Sequence, residues 1–271
     1  MASYLVTGAS RGLGFEFLRQ LSDKSDNIVV GLVRNKQATV EKIERDLSGR
    51  KNVHIIQADI IDYQALKASV DETSNITGGK LDYIIANAGL VSAWSAYDPI
   101  GVLGEQPKKL EEDLLTCFKI NAVGNIHLFN LYMPLLLKGQ VKKAITLSTG
   151  MADPEFVSQF SISVAAPYAI SKAAVNLAVS KFDAQYRKEG VLFMAISPGM
   201  VDTGHYDDAT EEQSQKAGEM LQQFQSYAPD FTKPITPEES VTAVLSVVHK
   251  ASIEAGNGGS FVSHFGNKQW L

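Results

Sequence analysis

Cysteine is almost missing from this 271-residue chain. Cys117 stands alone, so no intrachain disulfide can form, and a reducing, cytoplasmic setting is the expectation. Long apolar runs are missing too. None approaches the roughly 20 residues that span a bilayer, which argues against a helical membrane protein. The N-terminus carries no charged leader followed by an apolar block, so no signal peptide is expected. The closing GNKQWL matches no retention or lipidation signal. Positive charge is not in excess: 25 Lys and Arg stand against 30 Asp and Glu, for a net charge of −5. That balance argues against a nucleic-acid partner, which would need a broad basic face. No Pro/Ser-rich linker and no internal repeat divides the chain, and no metal site is expected.

What is present is an ordinary globular composition, 45% hydrophobic and 20% charged, in a chain long enough to bury a full core unaided. Short apolar runs alternate with longer helical patterns. The runs at 4–7, 27–33, 52–58, 81–87, 143–148, 191–197 and 260–264 read as strands. Several are apolar at consecutive positions, as expected for strands covered on both faces. Helical patterns lie near 11–24, 36–48, 62–77, 108–138, 165–189 and 236–252. Strand alternating with helix predicts a mostly parallel, seven-stranded sheet flanked by helices in one α/β domain over residues 1–271. Two segments break the rhythm. Residues 90–107 form a loop of small residues, and 204–235 begin polar and then place Met220, Leu221 and Phe224 at helical spacing. An insertion there is expected to act as a lid or pocket wall.

The stretch YLVTGASRGLGFEFLRQL, residues 4–21, runs a strand into Gly8, Gly12 and Gly14 and then straight into a helix. Such a turn aims backbone N–H groups at an anion and lets a pyrophosphate come close. The spacing is G-xxx-G-x-G, not the commoner G-x-G-x-x-G, and a plain tight turn is the competing reading. Arg34 ends the second strand with no acid at 33–35, and Arg11 lies in the glycine loop. In dinucleotide folds an acid at that strand end suits the free 2′-hydroxyl of NAD, while arginine suits the 2′-phosphate of NADP. The expected cofactor is therefore NADP(H), against the bland reading of two solvated arginines.

Tyr168 and Lys172 sit four apart in PYAISKAAVNLAVSKF, on one helix face. An ammonium nearby favours the phenolate and draws the tyrosine toward a working proton donor. An i,i+4 pair alone is usually a surface feature. Together with the glycine loop it becomes specific.

At this point the chain resembles the short-chain dehydrogenase/reductase family nearly end to end. The matching pieces come in the family's order: Thr7-Gly8-Ala9-Ser10-Arg11-Gly12-Leu13-Gly14, Asp59-Ile60, Asn87-Ala88-Gly89, Asn121, Ser148-Thr149, Tyr168 with Lys172, and Pro198-Gly199-Met200-Val201-Asp202-Thr203. Within the family it looks most like fungal ketoreductases of the norsolorinic-acid-reductase and carbonyl-reductase type, through YLVTGASRG, VVGLVRN and GGSFVSHFGNKQW. The resemblance implies a doubly wound Rossmann-type fold and NADPH-dependent reduction of a ketone or aldehyde. It implies that Asp59 and Ile60 meet the adenine, and that Asn87, Ala88 and Gly89 support the adenosine side. Asn121 would hold a water in a proton relay with Lys172, which would also bind the nicotinamide ribose. Pro198, Gly199, Val201 and Thr203 would line the carboxamide end. Plainer roles compete: Asn87 and Asn121 as satisfiers of buried backbone, Asp59 as a helix cap.

One departure stands out. The family places a catalytic serine about a dozen residues before its tyrosine, but position 155 here is Glu155. The hydroxyl falls to Thr149 by the family's pattern, with Ser148 and the loop residues Ser161 and Ser163 as alternatives. The expected pocket walls hold Trp94, Tyr97, Phe156, Phe160, Tyr206, Phe224 and Phe231. They suit a bulky or aromatic carbonyl substrate, although packing would use the same residues. The resemblance implies a homodimer or homotetramer built through the helices near 108–138 and 165–189. Two other functions remain open: a non-catalytic NADP(H) sensor, and a relative performing dehydration or epimerisation.

Overall fold

The structure, a computed structural model, describes residues 1–204 and 210–271. Seven strands form its sheet: β1 (Ser3–Thr7), β2 (Ile28–Val33), β3 (Val53–Gln57), β4 (Tyr83–Ala86), β5 (Lys143–Leu147), β6 (Leu192–Ser197) and β7 (Phe261–Ser263). Their order is β3-β2-β1-β4-β5-β6-β7, and every pairing is parallel. The helices are α1 (Gly12–Leu21), α2 (Lys36–Asp46), α3 (Tyr63–Thr77), α4 (Ile100–Leu103), α5 (Pro107–Phe118), α6 (Gly124–Leu136), α7 (Pro154–Gln159), α8 (Ala166–Tyr186), α9 (Glu211–Tyr227) and α10 (Pro237–Lys250).

Alternation explains the unbroken apolar runs. Val6, Val29, Ile85, Ile145 and Met194 face Phe17 and Leu18 of α1 and Val241 and Val244 of α10. Their neighbours Leu5, Val30, Ile84, Ala144 and Phe193 face Leu66 of α3, Leu128 and Phe129 of α6, and Val179 and Phe182 of α8. Both sides of every central strand are thus buried, so no polar residue is needed at alternate positions. Each fully buried Leu or Phe contributes about 1.5–3 kcal/mol. The fully buried phenol of the second set, Tyr132, is satisfied by the hydroxyls of Ser69 and Thr73 at 2.7 and 3.1 Å.

The single long helix expected near 108–138 is three pieces. Between α5 and α6 the chain makes one π-helical turn, Lys119–Val123, which turns Asn121 fully inward. After β3 the chain crosses to β4 on the other side of β1. The reversal opens a crevice beyond the strands' C-terminal ends, where such folds bind ligands.

Candidate active site

The crevice is a cavity of about 500 Å³ that runs from Arg34 to Tyr168 and on to Trp270. At its first end the glycines are held by contact as much as by flexibility. Gly8 sits at φ +66°, and its N–H donates to Leu32 O at 3.0 Å. A Cβ on Gly14 would lie 2.1 Å from Gly8 O, so no side chain fits between loop and helix. Asn87 Nδ2 donates to Thr7 O at 2.9 Å and Gly8 O at 3.3 Å, and Ala88 N donates to Thr7 Oγ1 at 2.9 Å. Asn87 thereby ties the end of β4 to the loop after β1.

Helix α1 begins with no side-chain cap and no acid in its first turn. Its leading N–H groups and the positive end of its dipole are open to an anion. Arg11 and Arg34 border the same cavity and are exposed. Asn35, next to Arg34, is occupied as the cap of α2, accepting from Ala38 N at 3.0 Å. A side-chain-free cradle, an uncapped helix and two guanidinium groups without a partner among the described residues fit a phosphorylated dinucleotide.

Asp59 and Ile60 border the middle of the cavity. Asp59 accepts from Ile61 N at 3.2 Å, whereas the cap of α3 is Asp62, which accepts from Gln64 N and Ala65 N. Ile60 lies against Gly124, where a Cβ would meet its Cγ1 at 2.8 Å. Pro198, Gly199, Val201 and Thr203 form the opposite wall. Thr203 closes on the glycine loop, within 3.4 Å of where a Gly12 Cβ would be.

Tyr168 and Lys172 project from the first turns of α8 into the same space. Lys172 is 3% exposed. Its Nζ donates to Leu147 O at 2.7 Å and lies 5.8 Å from the centre of the Tyr168 ring. Burial pushes its ammonium down to about 8. Asn121 stands behind this pair, outside the cavity lining. Its Oδ1 accepts from Leu90 N at 2.7 Å, and its Nδ2 donates to Leu90 O and to Ser171 Oγ at 2.9 and 2.8 Å. Ser171 Oγ in turn donates to Tyr168 O at 2.6 Å. Asn121 therefore fixes the start of α8 to the loop after Gly89. At Gly89 a Cβ would come within 3.1 Å of Asn121 Oδ1 and 3.2 Å of Lys172 Nζ, so a side chain there would press on both groups.

The two adjacent hydroxyls differ. Ser148 Oγ is buried and has no hydrogen-bond partner among the described residues. Thr149 is half-buried, and its Oγ1 accepts from Met151 N at 3.3 Å. Ser161 and Ser163 are exposed and off the cavity.

The far end is apolar. The long excursion between β5 and α8 folds into a short 3-10 turn (Gly150–Ala152) and α7, and it delivers Met151 and Phe156 to the cavity. Helix α9 adds Met220 and Phe224. Of the other expected wall aromatics, Phe160 and Phe231 pack behind this cluster. Trp94 lies under Lys109 Nζ at 4.8 Å, and Tyr97 is buried away from the cavity. Tyr206 lies outside the described residues. The sequence reading missed Trp270 and Leu271, which border this end. The signal available was a large aromatic in a polar tail.

The profile of the short chain dehydrogenase family matches residues 3–214. A short chain dehydrogenase of Hypocrea virens, virK, is 61% identical over 271 residues, covering 100% of both chains. The short-chain dehydrogenase/reductase AacuF of Aspergillus aculeatus is 46% identical over 274 residues, again over 100% of both. Among solved structures, the NADPH-bound carbonyl reductase from chicken fatty liver is similar with a TM-score of 0.78 at 22% identity, covering 98% of each chain. The carbonyl reductase Sniffer of Drosophila melanogaster gives 0.76 at 20% identity and the same coverage. At such identities the likeness is one of fold.

Proposed function

The chain belongs to the short-chain dehydrogenase/reductase family, and from that premise we propose that it reduces a bulky, apolar ketone or aldehyde with NADPH. The observation that carries the reading is the continuity of one cavity. Arg11 and Arg34 stand at one end, the Tyr168–Lys172 pair in the middle and an aromatic cluster at the other.

NADPH, when bound, supplies the hydride. The glycine loop and the start of α1 would hold its pyrophosphate, and Arg11 and Arg34 its 2′-phosphate. Ser10, Leu13, Asp59, Ile60, Asn87, Ala88 and Gly89 would line the adenosine side. Pro198, Gly199, Val201, Thr203 and Lys172 would receive the nicotinamide end. Thr149 is the hydroxyl that meets the substrate oxygen. Its Oγ1 already accepts a backbone N–H, so its own proton is free to be donated, whereas Ser148, which borders the same cavity, has its Oγ buried. Tyr168 delivers the proton. Lys172 keeps positive charge beside the phenol, favouring the phenolate that remains after transfer. Asn121 acts through Ser171 to hold α8 in place.

The chain is proposed to be one domain, with α9 as the lid. Leu115 and Phe118 of α5 and Ile170 and Leu177 of α8 are exposed apolar side chains on neighbouring helices. They support a homo-oligomer built on that face. No helix among the described residues is long and apolar enough to cross a membrane.

The test is NADPH consumption over a panel of ketones, quinones and aldehydes, followed by nicotinamide absorbance. Turnover of large aromatic carbonyls is the expected result. NADPH binding without consumption across the panel would sink the reading.

A further inference from the structure

Beyond β7 the chain doubles back across the end of the sheet. Ser263 N donates to Asn267 O at 2.7 Å, and Asn267 Oδ1 accepts from Gln269 N at 2.8 Å. The returning segment ends on Trp270, which is 3% exposed and stacked on Phe261 at 4.5 Å between ring centres. Three separate ties hold it. Its N–H donates to Tyr227 Oη at 2.9 Å, while that hydroxyl donates to Lys268 O at 3.1 Å, so one phenol binds α9 to the tail. Lys268 Nζ pairs with Asp153 Oδ2 at 3.2 Å, and Asp153 also caps α7. Third, the Trp270 side chain lies on Gly150, where a Cβ would fall 2.6 Å from Trp270 Cβ and 2.7 Å from its Cγ.

Gly150 directly follows Thr149, so this contact puts the bulkiest side chain of the cavity wall one residue from the hydroxyl that meets the substrate. Met151, Phe156, Met220, Phe224 and Leu271 complete that end, and no ionisable side chain is among these wall residues. The charged groups of the cavity, Arg11, Arg34, Asp59 and Lys172, lie toward the glycine loop and α8. A substrate arm reaching past Thr149 therefore meets apolar side chains among the described residues.

We propose that Trp270 is the specificity-determining residue of this site: it sets how far the larger arm of a carbonyl substrate can extend beyond Thr149. The inference rests on the reductase reading above. Glycine at 150 is part of the same device, because any side chain there would drive the tryptophan out of its seat.

The experiment compares wild type with Trp270→Ala, Trp270→Phe and Gly150→Ala. The substrates are methyl ketones carrying one, two and three fused aromatic rings. Wild type is expected to discriminate against the largest. Trp270→Ala should raise the ratio of kcat/KM for the three-ring to the one-ring ketone by about tenfold or more, the scale on which a pocket registers small changes in volume. NADPH affinity should stay unchanged. Trp270→Phe keeps the ring stack on Phe261 and should shift the ratio in the same direction by less; it carries the test should the alanine variant not fold. Gly150→Ala should also raise the ratio, and should add nothing in the Trp270→Ala background because both act through one contact. If all three ketones change by the same factor, or the ratio falls, Trp270 only supports the fold and the inference is overturned. If wild type turns over no carbonyl at all, the reductase reading fails and takes the inference with it.

Discussion

Replacing Lys172 by methionine should make the protein more stable and inactive. The ammonium is buried, and burial brings its pKa from 10.5 down to about 8. Each unit of depression is worth about 1.4 kcal/mol, so holding this charge in the fold costs about 3 kcal/mol near neutral pH. Loss of the bond from Nζ to Leu147 O takes back about 1–3 kcal/mol. The net gain for Lys172→Met near neutral pH is then between nothing and about 2 kcal/mol, at an active-site residue. The pH dependence is the sharper readout. The unfolded lysine keeps its proton up to about 10.5, while the folded one releases it above about 8. In that window the unfolded state binds more protons, so wild-type stability rises with pH. The gap between wild type and Lys172→Met should therefore move by about 3 kcal/mol in favour of wild type across the window, with the other titrating groups common to both. Urea denaturation of the ligand-free proteins at neutral and alkaline pH measures it. A gap that stays flat would refute the claim that Lys172 is held charged against desolvation.

Arg34→Asp should weaken NADPH by about tenfold to a hundredfold and spare or improve NADH, since a charge-assisted bond to a phosphate is worth about 1.5–3 kcal/mol; fluorescence titration of both cofactors checks it. Thr149→Val should lower turnover by about a hundredfold or more with cofactor affinity intact. Ser148→Ala should leave turnover nearly unchanged and, by removing an orphaned buried hydroxyl, should not lower the Tm; kinetics on one substrate and a melting curve decide between the two. Gly14→Ala forces a Cβ to within 2.1 Å of Gly8 O, so NADPH titration should show lost affinity even where the fold survives.

The strands were legible because a parallel sheet covered on both faces writes continuous apolar runs. All seven strands fall within one to two residues of their expected positions. The glycine loop and the Tyr168–Lys172 pair were legible because local geometry fixes them: a bare turn against a helix start, and a spacing of one helical turn. The break in the long helix was not. A single π-helical turn shifts the register of Asn121 without disturbing the apolar spacing on either side, and periodicity does not register one such residue. The choice between Ser148 and Thr149 depended on which oxygen the folded chain covers, and strand alternation says only that they differ. Trp270 was invisible as a site residue because its contacts with Gly150 and Tyr227 are remote in sequence. The plainer role open to Asp59, capping α3, is taken by Asp62; both acids precede an apolar run, so the sequence alone does not separate them.

The central claim is that Tyr168 donates the proton in a carbonyl reduction at this cavity. The direct measurement is NADPH-dependent turnover of an accepted ketone by wild type and Tyr168→Phe, with NADPH binding followed in parallel. The account predicts unchanged NADPH affinity and a loss of turnover of about a hundredfold or more. A Tyr168→Phe protein that reduces the ketone at the wild-type rate would contradict it.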